Sequence, residues 1–319
     1  DLEIMKQGQG LSELTGRLML ELDKIVKKEK FDYILVQGDT TSVLTGALTA
    51  FYNQIPVGHI EAGLRTGDIY SPFPEEANRK LVGNIADIHF APTDVNVDNL
   101  LRENYPKEKI IKCGNTVIDA LYWVKKNKNK DIEEIKKKYR VNDKKYILIT
   151  MHRRENWGKP MEETLRAVRN YLEKHEDIYL VFPMHLNPLV RDTAHRVLDG
   201  FERKILIEPL EYLEFIAIMD GAHYIMTDSG GVQEEAPSLG KPTLVLRDTT
   251  ERPEAIEVGT AKLTGTKYED VIKDMELLEG ETYEKMSKAN NPYGDGKTSE
   301  RIRKYIEKKL LKLNKKEIK

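Results

Sequence analysis

The chain of 319 residues balances 51 Lys and Arg against 53 Asp and Glu, a formal charge of −2, so its overall electrostatics give no reason to expect nucleic acid or an acidic membrane as partner. One cysteine, Cys113, rules out an intrachain disulfide and points to a reducing compartment, the cytoplasm. No window approaches roughly 18 uncharged apolar residues, and the opening D-L-E-I-M-K-Q lacks a basic region and an apolar core, so neither a membrane span nor a signal peptide is expected.

A chain this long is expected to form two domains. Leu11, Leu14, Leu18, Leu22 and Ile25 recur at helical spacing and predict a helix over 11–26. Strands follow at 32–37 and 55–60, with a helix rich in Ala and Leu at 42–51 between them. Residues 78–85 and 95–103 read as helices, 87–91 and 109–112 as strands. Between Trp123 and Lys145 the composition turns to K-K-N-K-N-K-D-I-E-E-I-K-K-K, which reads as a charged, solvated linker and helix with little to bury. The pattern restarts with strands at 146–150, 178–183, 204–207, 222–227 and 242–246 and an amphipathic helix at 161–174. A terminal helix over 301–313 closes the chain, and the lysines after it are expected to fray. The alternation is that of doubly wound parallel sheets, an α/β fold. The expected division is 1–128, 129–298 and a terminal segment 299–319.

Ala222–Lys241, A-H-Y-I-M-T-D-S-G-G-V-Q-E-E-A-P-S-L-G-K, carries the most specific local chemistry. A strand running into Asp228-Ser229-Gly230-Gly231 and then a short helix, closed by Pro237 and Gly240, presents free backbone N–H groups at a helix N-terminus. Such a turn suits a phosphate or diphosphate, with Ser229 adding a donor and Glu235 placed to hold the hydroxyls of a ribose. The competing reading is an ordinary strand-to-helix turn of small residues. The D-S-G-G of trypsin-like serine proteases does not fit, because alternating strands and helices are not a β-barrel.

Ligands in open parallel sheets sit at the carboxyl ends of strands. By that rule Asp39, Glu61 and Glu75 or Glu76 from the first half, and His152, Arg153, Arg154, His185 and the Ser229–Gly231 turn from the second, are expected to face one crevice. Cations opposite carboxylates suit a phosphorylated substrate undergoing proton transfer. Any one of these residues read alone is as well explained as a helix cap or solvated loop charge. No His-x-His, H-E-x-x-H or paired Cys gives metal-ligand spacing, and no G-x-G-x-x-G follows a strand, so neither a metal nor a dinucleotide cofactor is expected.

Taken together, the motifs Q-G-D-T-T (37–41), H-I-E-A-G-L-R-T-G-D (59–68), P-F-P-E-E-A-N-R (72–79), G-N-T-V-I-D-A-L (114–121), H-R-R-E-N (152–156), H-L-N-P (185–188), T-D-S-G-G-V-Q-E-E-A-P-S-L-G-K-P (227–242), R-D-T-T-E-R-P-E (247–254) and N-P-Y-G-D-G (291–296) resemble the non-hydrolysing UDP-N-acetylglucosamine 2-epimerases. The resemblance spans almost the whole chain in order. It implies the glycosyltransferase-B architecture, two Rossmann-like domains facing across a cleft, with the terminal helix crossing back to the first. It implies interconversion of UDP-N-acetylglucosamine and UDP-N-acetylmannosamine, with loss of the C2 proton, departure of UDP from C1 and a 2-acetamidoglucal intermediate. It further implies catalytic roles for Asp39, Glu61, Glu75 and His152, and a diphosphate turn at Ser229, Gly230 and Gly231. Glu235 falls at the ribose contact, Arg252 at a further nucleotide contact, and Leu210 and Phe215 at the uracil. Family members commonly form homodimers.

One departure matters. The family opens with a strand and a Gly-Thr-Arg-Pro-Glu loop, and this sequence begins downstream of it, so a first domain lacking its first strands is expected. Three other activities share the pocket chemistry: a hydrolysing epimerase releasing UDP and free sugar, a UDP-sugar glycosyltransferase, and a non-catalytic UDP-sugar binding module. Several strand-end carboxylates speak against the transferase.

Overall fold

The computed structural model describes residues 2–6 and 8–317, with side chains described as far as residue 311. Among the described residues the short β-branched runs pair into two wholly parallel sheets, one in each of two compact units. The first unit comprises Asp1–Thr116 with Tyr293–Lys319, the second Val117–Pro292.

In the first unit β1 (Ile34–Gln37), β2 (Val57–Ile60), β3 (Ile88–Ala91) and β4 (Ile110–Lys112) lie side by side in chain order. β3 is buried along its whole length, as a strand covered on both faces must be. On one face Val43, Ala47 and Ala50 of helix Thr41–Tyr52 pack with Val36, Val57 and Val82. On the other, Ile302 of helix Thr298–Glu317 closes over Ile88, Phe90 and Cys113. β1 and β4 are the edges of this sheet among the described residues, and on β1 Leu35 is 44% exposed. The terminal helix runs through Lys315 and Lys316 rather than fraying after Leu313, because Leu, Lys and Glu are all good helix formers; residues 318–319 lie outside the described residues.

The second unit holds β5 (Lys145–Thr150), β6 (Ile178–Pro183), β7 (Lys204–Ile207), β8 (Tyr224–Thr227), β9 (Thr243–Val245) and β10 (Ala261–Leu263). Their spatial order is β10-β9-β8-β5-β6-β7, the doubly wound arrangement in which strand order reverses between β5 and β8. Alternate side chains serve opposite faces. Ile147, Ile149, Leu180, Phe182 and Met226 join one core, while Tyr146, Leu148, Val181 and Ile225 join the other.

The stretch that composition marks as a solvated linker is instead part of the second core. Helices Thr116–Asn127 and Asn129–Lys138 bury Leu121, Val124 and Ile132 against Ile216 and Ala217. Their lysines point outward or pair, Lys125 and Lys136 both meeting Asp220. A long flexible side chain keeps its charge in water while its neighbours bury, so lysine content alone does not exclude a core helix.

Candidate active site

Within the first unit the chemistry collects at the carboxyl ends of β1 and β2. Gly38 follows β1 with φ +84°, and its N–H donates to the carbonyl of Ile60, 3.1 Å away. That bond carries the β1–β2 register past the strand ends and sets Gly38 beside Glu61. Glu61 itself holds φ +66°, a left-handed backbone that costs a non-glycine residue on the order of 1 kcal/mol. The bend folds its carboxylate back until Oε2 lies 3.6 Å from where a Gly38 Cβ would stand.

The turn is clamped from three directions. His59 Nε2–H donates to the Gly38 carbonyl at 2.8 Å, and burial pushes the ring's pKa down to about 4, so the neutral donor form prevails. Asn78 Nδ2 donates to the Asp39 carbonyl at 2.8 Å. Arg79, 4% exposed, donates to Asp39 Oδ2 from Nε at 3.0 Å and from Nη2 at 2.7 Å. Glu75 is the first residue of helix Glu75–Ile85 and is half-buried. The next residue, Glu76, is fully buried: its carboxylate accepts from Arg79 Nη1 and from the backbone N–H groups of Thr66 and Gly67. Of the two adjacent acids, Glu76 is therefore spent on holding the loop.

In the second unit the site sits at the strand-order reversal. Thr150 and Thr227 end β5 and β8 in register, their hydroxyls 2.6 Å apart. Asp228 follows, wholly buried, and its carboxylate gathers the N–H groups of His152 and Arg153, the Asn156 amide, and His152 Nδ1 at 2.9 Å. Burial works to raise its pKa, but these donors hold it below the ordinary aspartate value. Asp228 thus fixes the histidine through Nδ1, while the His152 side chain stays 49% exposed with Nε2 outward of that bond.

Ser229 caps helix Gly230–Ser238 without a side-chain cap bond, so its hydroxyl and the first N–H groups stay available for an anion. The helix runs through Pro237, in its last turn, rather than closing there. Gly231 is exposed and open on its Cβ side. Gly230 is glycine for a packing reason: a Cβ would lie 2.4 Å from Arg252 Nη1. Arg252 is buried and paired with Glu234 and Glu251. Burial opposes ionisation of Glu251, yet Arg252 and Arg247 draw its pKa down to about 2. Glu235 goes the other way: burial raises it to about 7, against the hydrogen bond that Tyr212 donates at 2.8 Å and with help from neighbouring Glu234. Leu210 and Phe215 pack on the apolar core beside this helix. Arg154 and His185 are exposed, and His185 Nδ1 accepts from Asn187 N–H, a satisfied loop histidine. Among the described residues no three His, Cys, Asp or Glu side chains converge to hold a metal, and no helix is long and apolar enough to cross a membrane.

Sequence reasoning passed over Arg79, Asn78, Asp228 and Tyr212. Asp228 stands inside the motif it did single out, where it reads as a turn former; only the strand pairing reveals that it faces His152.

A family model described as UDP-N-acetylglucosamine 2-epimerase matches residues 1–307. The UDP-N-acetylglucosamine 2-epimerase of Bacillus subtilis is 52% identical over 305 residues, covering 95% of this chain and 79% of that protein. Among solved structures, a UDP-GlcNAc 2-epimerase from Neisseria meningitidis bound to UDP-GlcNAc superposes with TM-score 0.90 at 46% identity, over 97% of this chain and 85% of that one. An S. aureus MnaA–UDP co-structure gives TM-score 0.89 at 48% identity, over 95% and 82%.

Proposed function

The chain belongs to the UDP-N-acetylglucosamine 2-epimerase family, and we propose from that premise how its own residues divide the work. The reaction is reversible inversion at C2, converting UDP-N-acetylglucosamine to UDP-N-acetylmannosamine without net hydrolysis. A C2–H beside an acetamido group is a poor acid, so its removal has to be coupled to expulsion of a well-held diphosphate from C1. Asp39, Glu61 and Glu75 are the carboxylates that withdraw and return the C2 proton. Ser229, Gly230 and Gly231, at the N-terminus of their helix, hold the diphosphate through elimination and re-addition. His152, fixed by Asp228 close in sequence space to that turn, assists departure of UDP. Glu235 takes the ribose hydroxyls, Leu210 and Phe215 flank the uracil, and Arg252 supports the phosphate turn as a cation beneath Gly230.

The observation that carries this reading is the turn at the ends of β1 and β2, where His59, Asn78 and Arg79 clamp Gly38 and Asp39 and the Glu61 carboxylate folds back toward Gly38. A transferase needs one base and an acceptor site; proton removal and delivery call for more than one acid–base group. Homodimer assembly and a cytoplasmic setting belong to the same reading, supported by the resemblance and by the lone cysteine.

The test is incubation of UDP-N-acetylglucosamine in deuterated water. Deuterium at C2 of both nucleotide-linked epimers is expected. Accumulation of UDP and free N-acetylmannosamine instead would mean a hydrolysing enzyme, and UDP-sugar binding without exchange would reduce the protein to a binding module.

A further inference from the structure

Arg79 is an arginine taken out of water with both of its neighbours charged. Its Nε and Nη2 grip the same oxygen of Asp39, Oδ2, at 3.0 and 2.7 Å, and its Nη1 reaches Glu76 at 3.0 Å. Its side chain is 4% exposed, that of Glu76 0%, that of Asp39 23%. The gradient has a direction: the buried anchor is Glu76, the cation lies over it, and the carboxylate at the open end is Asp39. Because both bonds fall on Oδ2, Oδ1 is the oxygen that no described residue engages. One residue earlier, Asn78 fixes the Asp39 backbone through its carbonyl. The start of helix Glu75–Ile85 therefore sets both the backbone and the side chain of Asp39.

We propose that Arg79 is a positioning residue for proton transfer: with Glu76 as its anchor, it orients the Asp39 carboxylate so that a single oxygen, Oδ1, meets the sugar. The inference rests on the reading of Asp39 as a catalytic carboxylate. A planar fork fixes orientation in a way a lysine ammonium cannot, since the ammonium supplies the charge without the geometry. Misplacement of a reacting group by a fraction of an ångström to an ångström is enough to cost large factors in rate.

The experiment compares Arg79→Lys with wild type in steady-state epimerisation, and repeats the comparison in an Asp39→Asn background. Arg79→Lys is expected to lower kcat by about 10- to 100-fold with KM changed by less than about threefold, because the ground-state contacts to the nucleotide are untouched. In the Asp39→Asn background the same substitution should cost nothing further. An equal loss in both backgrounds, or a loss confined to KM, would overturn the proposal in favour of a merely structural role. Removing the cation outright leaves Glu76 buried without a counter-charge, so Arg79→Gln is made only together with Glu76→Gln, against Glu76→Gln alone. If the paired variant matches Glu76→Gln in both kcat and thermal midpoint, Arg79 does not position Asp39. Full activity of Asp39→Asn by itself would sink the underlying reading, a separate result from wild-type kcat in Arg79→Lys.

Discussion

The pH dependence of sugar-nucleotide affinity offers a quantitative check on the nucleotide side of the site. Glu235 is buried, its pKa stands at about 7, and among the described residues only Tyr212 donates to it. To hold two ribose hydroxyls it has to accept hydrogen bonds, which the ionised form does best. The protein must then release a proton on binding wherever Glu235 is protonated in the free state. The apparent Kd scales as one plus ten to the power of the pKa minus the pH, so affinity should fall about tenfold between about pH 8 and about pH 6. UDP-N-acetylglucosamine is the right ligand, because both of its phosphates are esterified and neither titrates in that window. Tyr212→Phe removes the bond that opposes the upward shift, so it should push the Glu235 pKa higher and move the loss of affinity toward more alkaline pH. Titration calorimetry in buffers of different ionisation enthalpy reads the released proton directly. An affinity flat across the window, or a slope that survives in Glu235→Gln, would show that Glu235 does not meet the ribose.

The other expectations concern the carboxylates, the glycine turn and acid stability. Asp39→Asn, Glu61→Gln, Glu75→Gln and His152→Ala should each cut turnover by about two to four orders of magnitude, and full activity in any of them strikes that residue from the catalytic set. Gly230→Ala should displace the Arg252 guanidinium, which lies 2.4 Å from the added Cβ, and weaken UDP binding by at least about tenfold, whereas Ser229→Ala should cost only about 0.5–1.5 kcal/mol of the same affinity. Unchanged UDP affinity in both would remove the phosphate from this turn. His59 and His89 are buried neutral, with pKa values lowered by burial to about 4. Their folded pKa lies below the unfolded value, so the unfolded chain binds more protons and stability falls as pH drops from about 6.5 toward 4, by up to roughly 3 kcal/mol for each. Urea unfolding followed by circular dichroism should show that slope, reduced in His89→Phe; a flat profile would contradict it.

Much of the fold could be read along the chain because its determinants are local. The strands at 178–183 and 204–207 fall where the apolar runs predict them, and the helix at 161–174 starts only two residues early, at Lys159. One helix that the periodicity does not predict has a visible start. Pro188–Val197 opens with an Asn187 cap that accepts from Leu189 N–H and a proline in its first turn, a signal available from N-P alone. In Asn129–Lys138 a helix is expected but not its burial: the lysines outnumber the apolar residues, and the buried Ile132 is a single position in that run. Strand-end placement of Asp39, Glu61 and His152 is legible too: each lies just past the carboxyl end of a parallel strand, where side chains emerge from the sheet.

What could not be read are the partners of those residues, and the reason is separation. Arg79 meets Asp39 across 40 positions, and His152 meets Asp228 across 76. No periodicity links such pairs; their meeting follows from which strands lie adjacent and how the intervening helix returns. In sequence, P-E-E-A-N-R looks like an ordinary charged helix start. Burial changes its meaning, because an unpaired guanidinium or carboxylate at that depth would cost several kcal/mol. Arg79 can be inside because Asp39 and Glu76 accept its N–H groups there, and Asp228 can be inside only if the His152 loop closes over it with its donors. The same arrangement that makes each charge tolerable fixes Asp39 and His152 in one orientation just past the ends of their strands, so folding and the orientation of these side chains impose a single geometric condition.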